Sequence, residues 1–161
     1  MPTFQRTTVV DAPLEAVWAF HSTIDGLRAL TPPSSGLEID SIVGPDGTRN
    51  PETLAVGTTI EMRVRPLGVL PGPGWTSEIT LRERDDERAV FRDTMDGGPF
   101  ETWEHTHRFV AVGAQTLVYD HLEFALAPSL ALFTPFVHLG LAGLFAYRHA
   151  RTRSILGDSG E

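Results

Sequence analysis

The sequence predicts an α+β fold: a curved antiparallel sheet of about seven strands around one long C-terminal helix, with two short helices after the first strand. Three patterns carry this expectation. Apolar residues alternate with period two from Leu37 to Leu126, in segments separated by turn-forming stretches. Leu14, Val17, Trp18, Ile24, Leu27 and Leu30 instead recur at helical spacing. A nearly unbroken apolar run from Ser129 to Tyr147 is the element long enough to cover the sheet.

Thr3 to Val10 reads as the first strand, ended by Asp11-Ala12-Pro13, where Asp11 is the expected N-cap and Pro13 sits in the first helical turn. Asp25-Gly26 divides the helical pattern in two, and Thr31-Pro32-Pro33-Ser34-Ser35-Gly36 forbids more helix. Six strands follow: Leu37 to Val43, Thr58 to Arg65, Trp75 to Arg84, Ala89 to Met95, Phe100 to Val112 and Thr116 to Leu126. Their connections, such as Asp96-Gly97-Gly98 and Gly113-Ala114, are short, so consecutive strands should pair antiparallel as a meander. Thr134-Pro135 is a natural helix start, and Arg148, Arg151 and Arg153 complement the dipole at the far end. Pro135, His138, Gly140 and Gly143 argue against a transmembrane segment in this run. A curved sheet covered by one helix leaves a space between them, so a cavity is expected.

At 161 residues the chain is read as a single domain spanning 1–161. All 13 basic residues are Arg, and Cys is absent. That composition excludes Schiff-base lysine chemistry, thiol nucleophiles, disulfides and thiolate metal sites. Twenty-one acidic side chains give a net charge of −8, which opposes nucleic-acid binding and attraction to anionic membranes. The N-terminus has no charged segment leading into an apolar one, and a cytoplasmic location is expected.

Several segments carry a family likeness: Asp11-Ala12-Pro13-Leu14-Glu15-Ala16-Val17-Trp18, Leu30-Thr31-Pro32-Pro33, Trp103-Glu104-His105-Thr106-His107-Arg108-Phe109, Asp120-His121-Leu122-Glu123-Phe124 and Phe145-Ala146-Tyr147-Arg148-His149. Together they resemble the START/Bet v 1-like (SRPBCC) superfamily, in its cyclase/dehydrase or ligand-binding branch, over essentially the whole chain. The resemblance implies a helix-grip fold with an internal pocket for an apolar small molecule. It implies no particular reaction, because the fold hosts carriers, receptors and cyclases alike. The chain departs from the branch between Gly44 and Gly57, which is long.

Strand alternation sorts the side chains by face. Trp103, His105, His107 and Phe109 share one face of their strand, with Trp75, Ser77, Ile79 and Leu81, then Phe91, Asp93 and Met95, and then Val118, Asp120, Leu122, Phe124 and Leu126 inward from the others. The inner face is thus apolar except for Asp93, His105, His107 and Asp120. These four form a hydrogen-bonded network, the polar end of a ligand site, or a His/Asp pair for acid/base catalysis. His105 and His107 at i and i+2 also share a face, as two metal ligands require, but ligand count alone assigns neither metal nor cofactor.

The expected ligand-binding residues are Trp75, Phe91, Trp103, His105, His107, Asp120, Phe136 and Tyr147, the last two from the helical stripe Phe136, Gly140, Gly143, Tyr147. Arg63, Arg65, Arg82, Arg92 and Arg108 fall on the outward parity, so no fixed cation is expected in the pocket. The function expected is binding of a hydrophobic or amphipathic small molecule for storage, transport or sensing. The alternatives are a polyketide cyclase/dehydratase-type enzyme using His105, His107, Asp120 and Asp93, and a non-catalytic interaction subunit. The last helix is apolar nearly all round, which suggests a homodimer contact or weak membrane-surface docking there.

Overall fold

The computed structural model describes residues 1–157; the expected domain limit at 161 lies outside them. Strand β1 (Thr3–Val10) leads into helices α1 (Leu14–His21) and α2 (Ile24–Ala29). Strands β2 (Leu37–Val43), β3 (Thr59–Val64), β4 (Gly74–Arg84), β5 (Arg88–Gly97), β6 (Phe100–Val112) and β7 (Gln115–Leu126) follow, and α3 (Thr134–Gly157) closes the chain. The seven strands form one antiparallel sheet in the order β1-β7-β6-β5-β4-β3-β2. β2 to β7 are a meander, with short connections from β4 onward and a long one between β2 and β3, and β1 pairs with β7 from Thr3 opposite Glu123 to Val10 opposite Thr116.

Local chemistry accounts for most boundaries. The N-cap of α1 is Pro13 without a side-chain cap, not Asp11, while Thr23 caps α2 by accepting from the Gly26 amide at 3.2 Å. Residues 128–133 form a separate 3-10 segment, and the helix proper begins at Thr134, where the Thr-Pro pair places it. Gly36 ends the turn after α2 at φ +61, and its carbonyl accepts from the Arg65 amide at 3.0 Å. A Cβ there would overlap the carbonyl oxygen of Arg65. Gly36→Ala is therefore expected to cost about 2–4 kcal/mol, combining left-handed strain with the overlap. A urea denaturation midpoint equal to that of the parent chain would contradict this.

The sheet curls around two apolar clusters. The larger packs α1 against the sheet through Val17, Trp18, Ile79, Phe109 and Val118, and the smaller packs α3 through Leu141 and Phe145 against Phe4, Leu122 and Phe124. Phe145 is 1% exposed, with its ring 5.3 Å from that of Phe4, so its burial contributes about 2–3 kcal/mol. The buried stripe of α3 is Leu141, Phe145, His149 and Thr152, spaced four, four and three residues apart. That phase turns Phe136 out to solvent at 71% exposure, and a Cβ at Gly140 or Gly143 would meet no atom within 4 Å. The glycines therefore neither open the cavity nor let the helix approach the sheet. Pro128–Gly157 is long and apolar enough to cross a membrane by composition, yet one face of it packs on the sheet.

A bulge in β4 between Ile79 and Leu81 changes the strand's parity. Beyond it, Arg82 lies opposite Phe91 and turns toward α1, where it donates to Ser22 Oγ at 2.7 Å and sits 4.3 Å from the centre of the Trp18 ring. The outward placement expected for Arg82 is thereby corrected. The long 44–57 stretch tucks back against the end of α1: the Leu54 amide donates to the Ser22 carbonyl at 2.9 Å, and Leu54 is 3% exposed.

Candidate functional site

Between the two clusters lies a cavity of about 490 Å³, within the size range of small-molecule sites. Its walls come from the concave face of β3 to β6, from α2 and the turn after it, and from α3. Trp75, Phe91, Trp103, His105 and His107 line it, as the alternation predicts, and Asp93 joins them. Phe136 and Tyr147 do not line it. The helix instead presents Leu141, Leu144, Phe145 and Arg148, whose spacing of three, one and three residues defines one side of the helix. Leu54, from the long stretch before β3, also lines the cavity.

The polar wall follows from strand register. His105 on β6 lies opposite Asp93 on β5, and His107 lies opposite Asp120 on β7. Asp120 does not itself line the cavity; it stands behind the two histidines at 4% exposure. His105 Nε2 donates to Asp120 Oδ1 at 2.8 Å, and His107 Nδ1 lies 2.7 Å from the same oxygen. The second oxygen, Oδ2, accepts from His149 Nε2 on α3. A carboxylate only accepts hydrogen bonds, so the three nitrogens facing it carry hydrogen. This fixes the tautomers: when neutral, His105 keeps its lone pair on Nδ1 and His107 on Nε2. Both of these atoms lie 3.6 Å from Asp93 Oδ2.

Burial raises the Asp120 carboxyl, but the His107 charge and hydrogen bonds from His105, His107 and His149 outweigh it and hold the group well below the ordinary value. Burial and the neighbouring His107 push His105 down. Burial also depresses His107, yet the charges and hydrogen bonds of Asp120 and Asp93 overcome it and lift the group above its ordinary value. Two adjacent imidazoles, with ring centres 3.8 Å apart, thus shift in opposite directions: Asp120 favours the charged form of both, but at His105 burial and the His107 charge prevail.

Three polar residues at this wall escape strand alternation because they come from helices. His21, at the end of α1, donates from Nδ1 to the Val17 carbonyl at 2.8 Å and lines the cavity; burial and the His107 charge bring it down to about 3. Arg148 supplies the cation that was not expected in the cavity, its pKa lowered by burial and partly restored by the Asp120 and Asp93 charges. His149 was legible in principle, since it continues the apolar stripe of Leu141 and Phe145 at i+4 and i+8. Trp103 Nε1 is buried without a hydrogen-bond partner among the described residues. His121 stays on the outer face, between Gln5 and Glu123, and His138 meets the Phe4 ring at 5.5 Å.

A curved antiparallel sheet gripping a long helix over an internal cavity defines the helix-grip class of fold. Residues 1–153 match the family described as polyketide cyclase / dehydrase and lipid transport, and the chain belongs to that family. Among solved structures it is similar to a point mutant of norcoclaurine synthase from Thalictrum flavum in complex with a transition state analogue. The TM-score is 0.69 at 16% identity, over 99% of this chain and 96% of that one. It is also similar to a START superfamily protein from Mycobacterium smegmatis (TM-score 0.66, 14% identity, 97% of each chain) and to a protein from Chromobacterium violaceum (0.67, 12%, 96% of each). At these identities the likeness concerns the fold. No curated protein matches in sequence.

Proposed function

We propose that the chain binds an apolar or amphipathic small molecule in the cavity between α3 and the sheet. The observation that carries this reading is the division of the cavity: apolar side chains such as Leu27, Ile60, Met62 and Phe91 on most walls, against Asp93, His105, His107 and Arg148 gathered on one. That arrangement suits a ligand with an apolar body and an oxygen-bearing end, such as a carbonyl, enol or phenol. The unpartnered Trp103 Nε1–H is a further donor for such an oxygen. Trp103→Ala removes both an apolar wall and that donor, and is expected to weaken a co-purifying ligand, or a fluorescent fatty-acid probe, by at least tenfold, about 1.4 kcal/mol. Phe136→Ala, on exposed helix, is expected to leave affinity unchanged. Equal affinities for Trp103→Ala and the parent chain in titration calorimetry would reject the assignment.

Catalysis is the second reading, favoured by the opposed shifts of His105 and His107. Groups of one kind whose environments separate their pKa values are suited to act as base and acid on one substrate. His105 Nδ1 would take a proton next to a carbonyl while His107 Nε2–H supports the developing oxyanion. Turnover of an aromatic polyketide-type substrate that is lost in His105→Gln, with binding retained, would support this reading. Binding without turnover would leave the carrier reading in place. Homodimerisation or membrane docking through the exposed face of α3 and the 3-10 segment before it, where Leu132, Phe136 and Leu139 are each more than two-thirds exposed, is tested by light scattering and liposome sedimentation.

A further inference from the structure

We propose that His105, His107 and Asp93 form a binding site for a divalent transition metal on the polar wall of the cavity, with Asp120 as the positioning residue behind it. The site is independent of any organic ligand in the cavity, because three donors and the group that orients them define it.

Asp120 Oδ1 engages the Nε2 of His105 and the Nδ1 of His107, so the opposite nitrogen of each ring is the one available to an ion. Those two nitrogens converge on Asp93 Oδ2, each at 3.6 Å, and one donor atom from each residue falls within 4.8 Å of the others. Donors bound to one zinc-sized ion at about 2.0–2.2 Å are separated by somewhat over 3 Å. A small rotation of Asp93, whose side chain is 18% exposed, closes the difference. Histidines that bind metals characteristically donate their second N–H to a carboxylate, which fixes tautomer and ring direction. Here one buried carboxylate does this for both rings, and His149 from α3 holds that carboxylate by its other oxygen.

The donors also sit where a metal site needs them. His105 and His107 are each 5% exposed and stand on the interior strand β6, with Asp93 on neighbouring β5, so their backbone separation is fixed by the sheet. Two carboxylates, Asp93 and Asp120, bring negative charge to this wall against the single guanidinium of Arg148. A cation on the donors displaces the proton that gives His107 its charge and supplies positive charge in its place. Two imidazoles and one carboxylate suit ions of borderline softness such as Zn²⁺ or Fe²⁺, and leave the side facing the cavity for water or a ligand oxygen. The ion takes the same two nitrogens that proton transfer by the histidine pair would use, so the site and that second reading are mutually exclusive in one molecule.

The test uses the untagged full chain, dialysed against EDTA and then against metal-free buffer, and titrated with Zn²⁺ by calorimetry and with Co²⁺ by visible absorption. One ion per chain is expected, with the intense d–d bands of a four- or five-coordinate Co²⁺ site. Asp93→Asn keeps the shape of the wall and removes the anionic ligand; it should weaken Zn²⁺ binding at least tenfold and collapse the Co²⁺ bands. Asp120→Asn is expected to lose about 10–100-fold in affinity while retaining one ion per chain. His121→Gln, on the outer face, serves as the control with unchanged binding. The proposal is overturned if the parent chain shows no saturable binding, or if folded Asp93→Asn binds as tightly as the parent with the same Co²⁺ spectrum. Circular dichroism establishes folding for each variant, and Asp93→Asn keeps the test decisive should Asp120→Asn fail to fold.

Discussion

Asp120→Ala is expected to lower the unfolding free energy of the metal-free chain by about 3–5 kcal/mol, the cost of breaking a buried charge cluster by removing one partner. The carboxylate accepts from His105 and His149 and faces His107, all at 5% exposure or less, so its loss strands three imidazole N–H groups where water does not readily replace it. The loss is a large share of the roughly 5–15 kcal/mol that holds a domain together. Asp120→Asn fills the same space but turns an amide donor toward at least one of those N–H groups, and should fall between the parent and Asp120→Ala. Urea denaturation followed by tryptophan fluorescence measures both. A loss under about 1 kcal/mol for Asp120→Ala would show that the three histidines find other partners.

With a chelator present, stability should pass through a maximum near neutral pH and fall on both sides. His21 drops from 6.5 in the unfolded chain to about 3 in the folded one, so the unfolded state binds its proton first as the solution is acidified. Its contribution is complete above 6.5 and is lost as pH falls from there toward about 3. It amounts to about 2–4 kcal/mol once the half-buried position of the ring is allowed for. His105, also lowered, adds to that acid limb, and below the ordinary 3.8 of a carboxyl the contribution of Asp120 begins to be lost as well. His107 has the opposite sign: raised in the folded state, it contributes fully below 6.5, and its contribution is lost as pH rises through its folded value. His21→Asn keeps a donor for the Val17 carbonyl and removes the titration, so its acid limb should be shallower between pH 6.5 and 4. An acid limb identical to that of the parent would assign the pH dependence to other groups.

The strand-borne part of the site was legible because a strand repeats every two residues, so that fixing one side chain of β6 inward fixes Trp103, His105, His107 and Phe109 together. The same rule failed in β4, where the bulge after Ile79 inserts an unpaired residue that composition does not announce, and Arg82 changes face. In α3 the difficulty was phase. A helix apolar on every side gives no hydrophobic stripe to read, and the glycines drew attention to the face that turned out to be exposed. The buried face is marked instead by its polar members, His149 and Thr152, which are 2% and 1% exposed. Polar residues in such a position signal a partner across the interface, and for His149 that partner is Asp120.

By itself the sequence determined the α+β class, the antiparallel meander, the covering helix, and an inner face that carries Asp93, His105, His107 and Asp120. These follow from periodicity and turn chemistry, which act between residues close in the chain. Only the tertiary structure decided how α1 and α3 rotate against that face, and with them the places of His21, Arg148 and His149. The rotation is set by which side chains fill the space above the sheet, with Phe145 against Phe4 and His149 against Asp120. Such contacts join residues far apart in the chain, and no local pattern carries their register. The same packing makes Asp120 the hub of a four-residue polar cluster rather than a residue at the cavity surface.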